Sequence, residues 1–282
     1  MSNRCPPEIL DGIVDLLHDN IEVLKQCCLV SKSWVPRSRK YLFVVIKFRT
    51  PGDLERWKEI FPDPSNSPAH HTRTLSIHCL EAVTTADAEE GSWIQAFACL
   101  THLEVDDSSL SLVWFVLCRK FSSTLKSLHI ALPALVLPQL FHLIHSFPLL
   151  EDLTLRGDTA HDYATRTAIS LPPSLTGTLD IFVYHGIASS AHRLLNLSNG
   201  LRFQKLKLGR WEERELHLVT GLVEACSDTL GCLDITVDLE GAACSISLLD
   251  RSITRASICS VWVQSSDRPL QSDEAERCRV SV

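Results

Sequence analysis

The sequence predicts an α/β protein in which N-terminal helices precede an irregular solenoid of repeated units, with a parallel sheet on the concave face of the solenoid. Three observations support this class. The first fifty residues carry apolar side chains at helical spacing. From residue 75 onward a Leu-x-Leu pattern recurs at nearly constant intervals, as the strands of a repeat do. The stretches between these motifs have helix-like apolar spacing, so each unit joins a strand to a crossover.

The N-terminal helices have recognisable start and stop signals. Pro6-Pro7 followed by Glu8 suits the first turn of a helix, where proline and a negative charge are favoured. Apolar residues then follow at helical spacing: Ile9, Leu10, Ile13, Val14, Leu16 and Leu17. Asp19 and Glu22 resemble a capping box that begins a second helix, and Pro36 should end it.

A third short helix is predicted from Arg37 to Phe43. The three helices together carry more apolar surface than about forty residues can bury. Part of that surface should therefore face another domain or another chain.

These residues resemble the F-box motif, whose usual pattern reads Leu-Pro-x-Glu-(Ile/Leu)-Leu, an apolar second helix, and Val-Cys-(Lys/Arg)-x-Trp. Residues 6–10 and 28–34 carry the match, with Cys5 in place of the usual leucine and Ser31 in place of cysteine. The resemblance covers residues 5 to about 45, and it assigns residues 1–45 to one domain. It implies docking onto the small Skp-type linker of SCF (Skp–cullin–F-box) ubiquitin ligases. The implied docking positions are Pro6, Leu10, Ile13, Leu16, Leu29, Val30, Lys32 and Trp34. The alternative is that these helices only cap the rest of the chain.

Residues 46–70 are predicted to form a linker with a short strand and a short helix. The strand is expected over residues 44–48, and Thr50 to Asp53 reads as a turn. A helix from Leu54 to Phe61 and a proline-rich stretch follow.

The repeat occupies residues 71–263. Leu-x-x-Leu-x-(Val/Ile/Leu) or a shortened form of it is centred at residues 75, 103, 128, 153, 179, 206 and 233, with steps of 28, 25, 25, 26, 27 and 27. These steps fall inside the range of leucine-rich repeats, about 20–29 residues. Helix-like stretches are expected at residues 110–121, 137–147, 188–197 and 213–226.

Two features make the predicted solenoid irregular at its edges. The asparagine position of leucine-rich repeats is not kept, and reads Ser108, Pro133, Asp158, Tyr184, Trp211 and Asp238. The last clear strand motif lies at residues 233–237, and the residues from 245 to 263 are apolar enough to cap the end of the solenoid. Residues 264–282 are expected to be a loose polar tail.

One residue lies between the two core residues of each predicted strand, and such residues should share the concave face. In chain order they are Glu104, His129, Thr154, Asp180, Lys207 and Asp234. This mixed polar row suits recognition of a target protein, and the alternative is a plain solvated sheet face.

Composition and motifs exclude several functions. The net charge of −7 and the pI near 5.9 argue against nucleic-acid binding. The 11 glycines are too widely spaced for a phosphate-binding loop. The stretch from Ser127 to Leu150 has no charged residue, but three prolines interrupt it, so it is not expected to span a membrane. His142 and His145 lack a third ligand, and the cysteines have no CxxC pair, so we expect no metal, no cofactor and no catalytic site.

The combination of an F-box and divergent leucine-rich repeats resembles the large expanded F-box families of fungi. It implies a substrate-recognition adaptor of an SCF-type ubiquitin ligase, in the cytoplasm and/or nucleus, that is not an enzyme itself. The partners would be a Skp-type linker, through it a cullin ligase, and an unidentified protein substrate. The alternative function is a binding scaffold whose F-box-like helices never engage a ligase.

Overall fold

The computed structural model of the chain describes ten stretches of backbone. They are residues 6–78, 92–106, 123–131, 143–157, 171–182, 191–192, 194–197, 200–212, 215–239 and 257–265. The described residues form a mixed α/β structure with one parallel sheet, whose nine described strands lie in chain order, β1 to β9. Each strand pairs with the next along the chain, and no described pairing joins β1 to β9, so the sheet is open.

Three helices precede the sheet: α1 (Pro7–Leu16), α2 (Ile21–Val30) and α3 (Val35–Leu42). The predicted capping box at Asp19 is wrong by one residue. Asn20 caps α2, because its side-chain oxygen accepts a hydrogen bond from the Val23 N–H at 3.1 Å.

The first strand and the fourth helix follow directly. Strand β1 (Val45–Phe48), predicted to lie in the linker, is the first strand of the sheet. Helix α4 (Pro51–Ile60) begins earlier than predicted, because the expected turn is its first turn. The Thr50 hydroxyl caps the Asp53 N–H, and the Asp53 carboxylate in return accepts the Thr50 N–H, which is a capping box.

The remaining elements complete the sheet. Two 3-10 turns, Pro64–Asn66 and Pro68–His71, come before it continues. The strands are β2 (Thr74–Ile77), β3 (His102–Asp106), β4 (Ser127–Ala131), β5 (Asp152–Arg156), β6 (Thr178–Phe182), β7 (Lys205–Glu212), β8 (Cys232–Leu239) and β9 (Ser257–Ser265). Helix α5 (Ser92–Gln95) precedes β3, and helix α6 (Leu216–Ala225) precedes β8.

The seven predicted strand centres are confirmed, and they are in register with one another. Their apolar residues form a single row across the sheet: Leu75, Leu103, Leu128, Leu153, Leu179, Leu206 and Leu233. All seven are at most 1% exposed. A second buried row runs two residues further along each strand, so both rows belong to one continuous core.

Hydrogen bonds repeat from unit to unit just before each strand. The carbonyl two residues before the core residue of one strand accepts two successive N–H groups of the next unit. This holds for the carbonyls of Val44, Arg73, Thr101, Lys126, Gly177 and Gln204. Hydroxyls add a second link, since Thr124, Ser174 and Thr229 donate to the carbonyls of Leu100, Leu150 and Phe203 at 2.8–3.1 Å.

The predicted helix-like stretches are only partly described. Residues 110–121 lie outside the described residues, as do 137–142, while residues 143–145 are helical. Residues 191–192 and 194–195 are also helical, and α6 matches the last predicted stretch. Of the predicted tail, residues 264–265 end β9, and residues 266–282 lie outside the described residues.

Strand β9 was not predicted from the sequence, in which the last clear strand lies at residues 233–237. It pairs in parallel with β8, but the register shifts between Leu233 and Asp234. As a result two residues, rather than one, separate Ile258 from Val261, the partners of Leu233 and Ile235. A search for alternating apolar residues misses such an inserted residue.

Candidate binding surfaces

Exposed apolar side chains are concentrated on α1 and α2. These two helices hold six of the nine large apolar side chains that are exposed in the described residues. The six are Ile9 (55% exposed), Ile13 (41%), Leu16 (84%), Ile21 (55%), Leu29 (80%) and Val30 (70%). On α1 the three exposed residues follow one another at helical spacing, so they share one face, while Val14 is fully buried.

A polar cluster holds α1 against α3. The Arg37 Nε donates to Asp15 Oδ1 at 2.6 Å, its Nη2 contacts the other carboxylate oxygen, and the Tyr41 hydroxyl donates to Oδ1 at 2.8 Å. The hydrogen bonds from Arg37 and then Tyr41 lower the pKa of Asp15 to about 2. These bonds fix the orientation of α1 relative to α3, and therefore the direction in which the exposed face of α1 points.

The predicted docking residues differ in exposure. Pro6 and Lys32 are exposed, as are four of the six apolar positions: Ile13, Leu16, Leu29 and Val30. Leu10 and Trp34 are half-buried, so they also pack within the chain. The structure therefore offers Leu16, Leu29 and Val30 as the positions most available to a partner.

The predicted polar row is one continuous line across the sheet. Glu104, His129, Thr154, Asp180, Lys207 and Asp234 are direct neighbours on β3 to β8. All six are half-buried, with Ser76 before them on β2 and Ser260 after them on β9. On each strand the residue of this row stands between the two buried apolar residues. Because successive side chains of a strand point to opposite faces, the row lies on the side of the sheet that faces away from the core.

Charges on this face are partly paired within the sheet. His78 Nδ1 lies 3.5 Å from Asp106 Oδ2, and Arg156 Nη2 lies 3.9 Å from Asp180 Oδ2. Burial lowers the pKa of His129, and the nearby Arg156 guanidinium lowers it further. His129 is therefore held toward its neutral form in the middle of the row.

A second row on the same face was missed in the sequence. It lies two residues beyond the first, at Asp106, Ala131, Arg156, Phe182 and Gly209. Extending the strand alternation by one step would have found it. Its aromatic member stands out, because Phe182 is a half-buried ring on a largely polar face.

The described residues show few signs of other chemistry. Among them, no group of three or more His, Cys, Asp or Glu side chains is placed to hold a metal ion, and His142 lies outside them. Cys27, Cys28, Cys99, Cys226 and Cys232 form no disulfide bond with one another. Burial raises the pKa of Cys226 to about 11, which opposes formation of its thiolate. No helix in the described part of the chain has both the length and the apolar character needed to cross a membrane.

Comparison with known proteins does not assign the chain to a family. No protein-family model matches the sequence, and no significant match is found among curated proteins.

Proposed function

We propose that the protein is a substrate-recognition adaptor of an SCF-type ubiquitin ligase, a fungal-type F-box protein with divergent leucine-rich repeats. In this proposal α1 to α3 dock onto a Skp-type linker, and through it onto a cullin ligase. The sheet forms the concave wall of a leucine-rich-repeat solenoid that binds a target protein. The adaptor performs no bond chemistry, and its role implies a location in the cytoplasm and/or nucleus.

The observation that carries the proposal is the exposed apolar surface of α1 and α2. Leu16, Leu29 and Val30 are at least 70% exposed although each is a large apolar side chain. Leaving such a group in water forgoes roughly 1.5–3 kcal/mol per side chain relative to burial. Exposed apolar side chains of this size are typical of a surface that is covered by another protein.

The repeated hydrogen bonds and the shared register of the seven core leucines support the solenoid. The buried apolar residues of successive strands belong to one continuous core, which is the arrangement expected of stacked repeats. The opposite face of the same strands carries the polar row, so the target surface and the core are separated by one sheet. A scaffold that binds proteins without a ligase fits the sheet equally, and only the exposed apolar side chains of α1 and α2 favour the adaptor.

The test measures binding of the full chain to a purified Skp-type linker. We expect micromolar or tighter association for the wild type. Leu16→Ser together with Leu29→Ser should weaken it by roughly 30-fold to 1000-fold, since the loss of one anchor at an interface centre costs about 2 kcal/mol and the loss of both up to about 4 kcal/mol. Both side chains are at least 80% exposed, so the fold should survive the change.

Ile60→Ser is the matched control, because Ile60 is 57% exposed on α4, outside the three helices. It should leave linker binding unchanged. If the folded wild-type chain does not associate with the linker at micromolar concentration, the adaptor proposal fails and the scaffold alternative remains.

A further inference from the structure

We propose that His70 and His71 form a pH-sensitive junction between the N-terminal helices and the sheet. In their neutral form they let the Pro68–His71 turn pack against α3, and their protonation loosens this contact. The inference goes beyond the proposed function, because it concerns how the two candidate surfaces are held relative to each other. It applies to an adaptor and to a scaffold alike.

The Pro68–His71 turn joins the helices to the sheet. It contacts α3, and it lies two residues before β2. Ala69 is fully buried, and Ser67 and Thr72 on either side of the turn are buried as well. The Thr72 hydroxyl donates to the Phe43 carbonyl at 2.8 Å, which ties the end of the turn to the residue after α3. The packing of the turn therefore fixes where α3 lies relative to β2.

The turn ends in two imidazole rings that lie close together. The ring centroids of His70 and His71 are 4.0 Å apart, with His71 half-buried and His70 exposed. The His70 Nδ1 lies 2.6 Å from the Ser67 carbonyl oxygen, which can only accept, so this nitrogen carries a hydrogen and the ring is held in place. Two neutral rings tolerate this distance, whereas two imidazolium ions would repel each other.

The charge that faces His71 from α3 is also positive. Lys40 lies in the last turn of α3. Burial lowers the pKa of His71, and His70 and then Lys40 lower it further. The neutral ring is therefore the form of His71 that suits the packed turn.

The other charged groups of these elements do not offset the added charge. On α3, Arg37 is paired with Asp15, and Arg39 is exposed. Arg73, just after the turn, is a further cation, and Asp63 is hydrogen-bonded within the preceding 3-10 turn. Among the described residues, neither histidine of the turn forms an ion pair with a carboxylate. Protonation thus adds positive charge to a junction that is already positive.

The junction should respond to pH in a defined direction. Because the pKa of His71 is lowered in the folded chain, folding favours its neutral form. The stabilisation is fully present above the unfolded pKa of about 6.5 and is lost as pH falls from there through the folded value. Neutral pH should therefore fix the turn against α3, and mild acid should loosen it.

The experiment measures opening of the junction by hydrogen–deuterium exchange in the full chain. The amides of Thr72, Arg73 and Thr74 are the readout, because they donate to the carbonyls of Ala69 and Val44 at 2.8–3.0 Å. Exchange is followed by mass spectrometry at about pH 7.5 and about pH 5.5, on either side of the imidazole titration, and is corrected for the intrinsic effect of pH. We expect the protection of these amides to fall by roughly threefold or more at the lower pH.

Variants identify the groups that cause the loss. His71→Gln keeps a polar side chain that takes up no proton, so it should retain protection at the lower pH. Lys40→Gln with His70→Gln removes the neighbouring charges at two exposed sites, so the loss should become smaller but should not vanish, since His71 stays half-buried. His192→Gln is the matched control, because His192 is exposed and belongs to the repeat region, so this variant should lose protection as the wild type does.

The amides of β5 (Asp152–Arg156) are the internal reference and should stay protected at both pH values. Equal loss in β5 and in the junction would indicate general acid unfolding and overturns the inference. A wild-type junction that keeps its protection in acid also overturns it, as does the same loss in the wild type and His71→Gln. If His71→Gln is already unprotected at the higher pH, the double variant decides, since a smaller loss supports the inference and an unchanged loss overturns it.

Discussion

Two residues show how single polar atoms are handled in this fold. The Asp152 side chain accepts the Thr178 N–H at 2.6 Å, in place of a backbone carbonyl. Gly177 leaves room for this contact, because a Cβ atom there would lie 2.5 Å from Asp152 Oδ1 and 2.9 Å from the Glu151 carbonyl oxygen. Trp211 lies at one of the positions compared above with the asparagine of leucine-rich repeats, and it follows a register shift in β7. Its ring is fully buried, and its indole N–H has no hydrogen-bond partner among the described residues.

The unpaired Trp211 N–H leads to a prediction about stability. Trp211→Phe removes the buried donor, which costs about 1–3 kcal/mol when unsatisfied, but it also removes some ring volume. We therefore expect a change in the free energy of unfolding within about 1 kcal/mol, whereas Trp211→Ala should cost about 3–5 kcal/mol. Denaturant unfolding followed by circular dichroism measures both. Equal losses for the two variants would show that the N–H has a partner, such as a buried water.

Asp15 gives a prediction about acid stability. Its folded pKa is about 2 against an ordinary 3.8, so folding favours the charged carboxylate. The stabilisation is then fully present above the unfolded pKa and is lost as pH falls from about 4 to 2. We expect Asp15→Asn to be less stable than the wild type at neutral pH and the two curves to converge over that range. Asp19→Asn, at a side chain that is 91% exposed, is the control and should track the wild type.

At the scale of elements, each strand from β1 to β8 contains two buried apolar residues with one residue between them. The chain alternates buried and exposed positions even outside the strands. Leu149 is 48% exposed, whereas Leu150 and Leu153 are fully buried. Apolar character alone therefore does not show whether a residue belongs to the core. Its position within the repeated strand pattern does show this.

This register can be tested with matched truncations. Leu153→Ala should cost about 2–5 kcal/mol, because it opens a cavity between β4, β5 and β6. Leu149→Ala deletes the same atoms at a half-exposed site and should cost less than about 1 kcal/mol. Denaturant midpoints of both variants check the difference. Similar losses would mean that the stacking of units does not follow the leucine period.

The same elements show what the sequence predicts and what it does not. Seven strand positions followed from the period alone, since buried leucines at a fixed step leave little freedom of register. Strand β9 did not, because its inserted residue breaks the alternation between Ile258 and Val261. The start of α4 was also missed, since Thr50, Pro51 and Asp53 favour both a turn and a helix N-terminus.

The candidate surfaces were predicted to different extents. The polar row followed from strand alternation, because side chains between buried neighbours must face the other way. The position of the Phe182 ring could not be read from the sequence, since the ring rests over Gly209, which is 27 positions later in the chain but adjacent in the sheet. The ranking of the helix residues likewise needed the structure, because Leu10 and Leu16 have the same side chain but only Leu16 is almost fully exposed.

At the scale of the whole molecule, the two surfaces belong to different parts of the chain and have opposite character. The helix surface is apolar and lies in the first thirty residues, whereas the polar row extends over β3 to β8. Contacts between α3 and the 3-10 turn at Pro68–His71 join the helices to the sheet. A protein that links two partners requires such a separation, so that one partner can bind without displacing the other.

This separation predicts that the two bindings can be removed independently. Glu104→Gln with Lys207→Gln removes two half-buried charges without touching the core, and it spares Asp180, whose side chain is only 16% exposed beside Arg156. We expect a thermal midpoint close to that of the wild type, unchanged linker binding and weakened target binding. Leu16→Ser with Leu29→Ser should give the reverse pattern, with linker binding lost and target binding kept. Calorimetry and two binding assays on the same preparations measure all three properties, and if either pair of changes removed both bindings in a folded chain, the surfaces would not be independent.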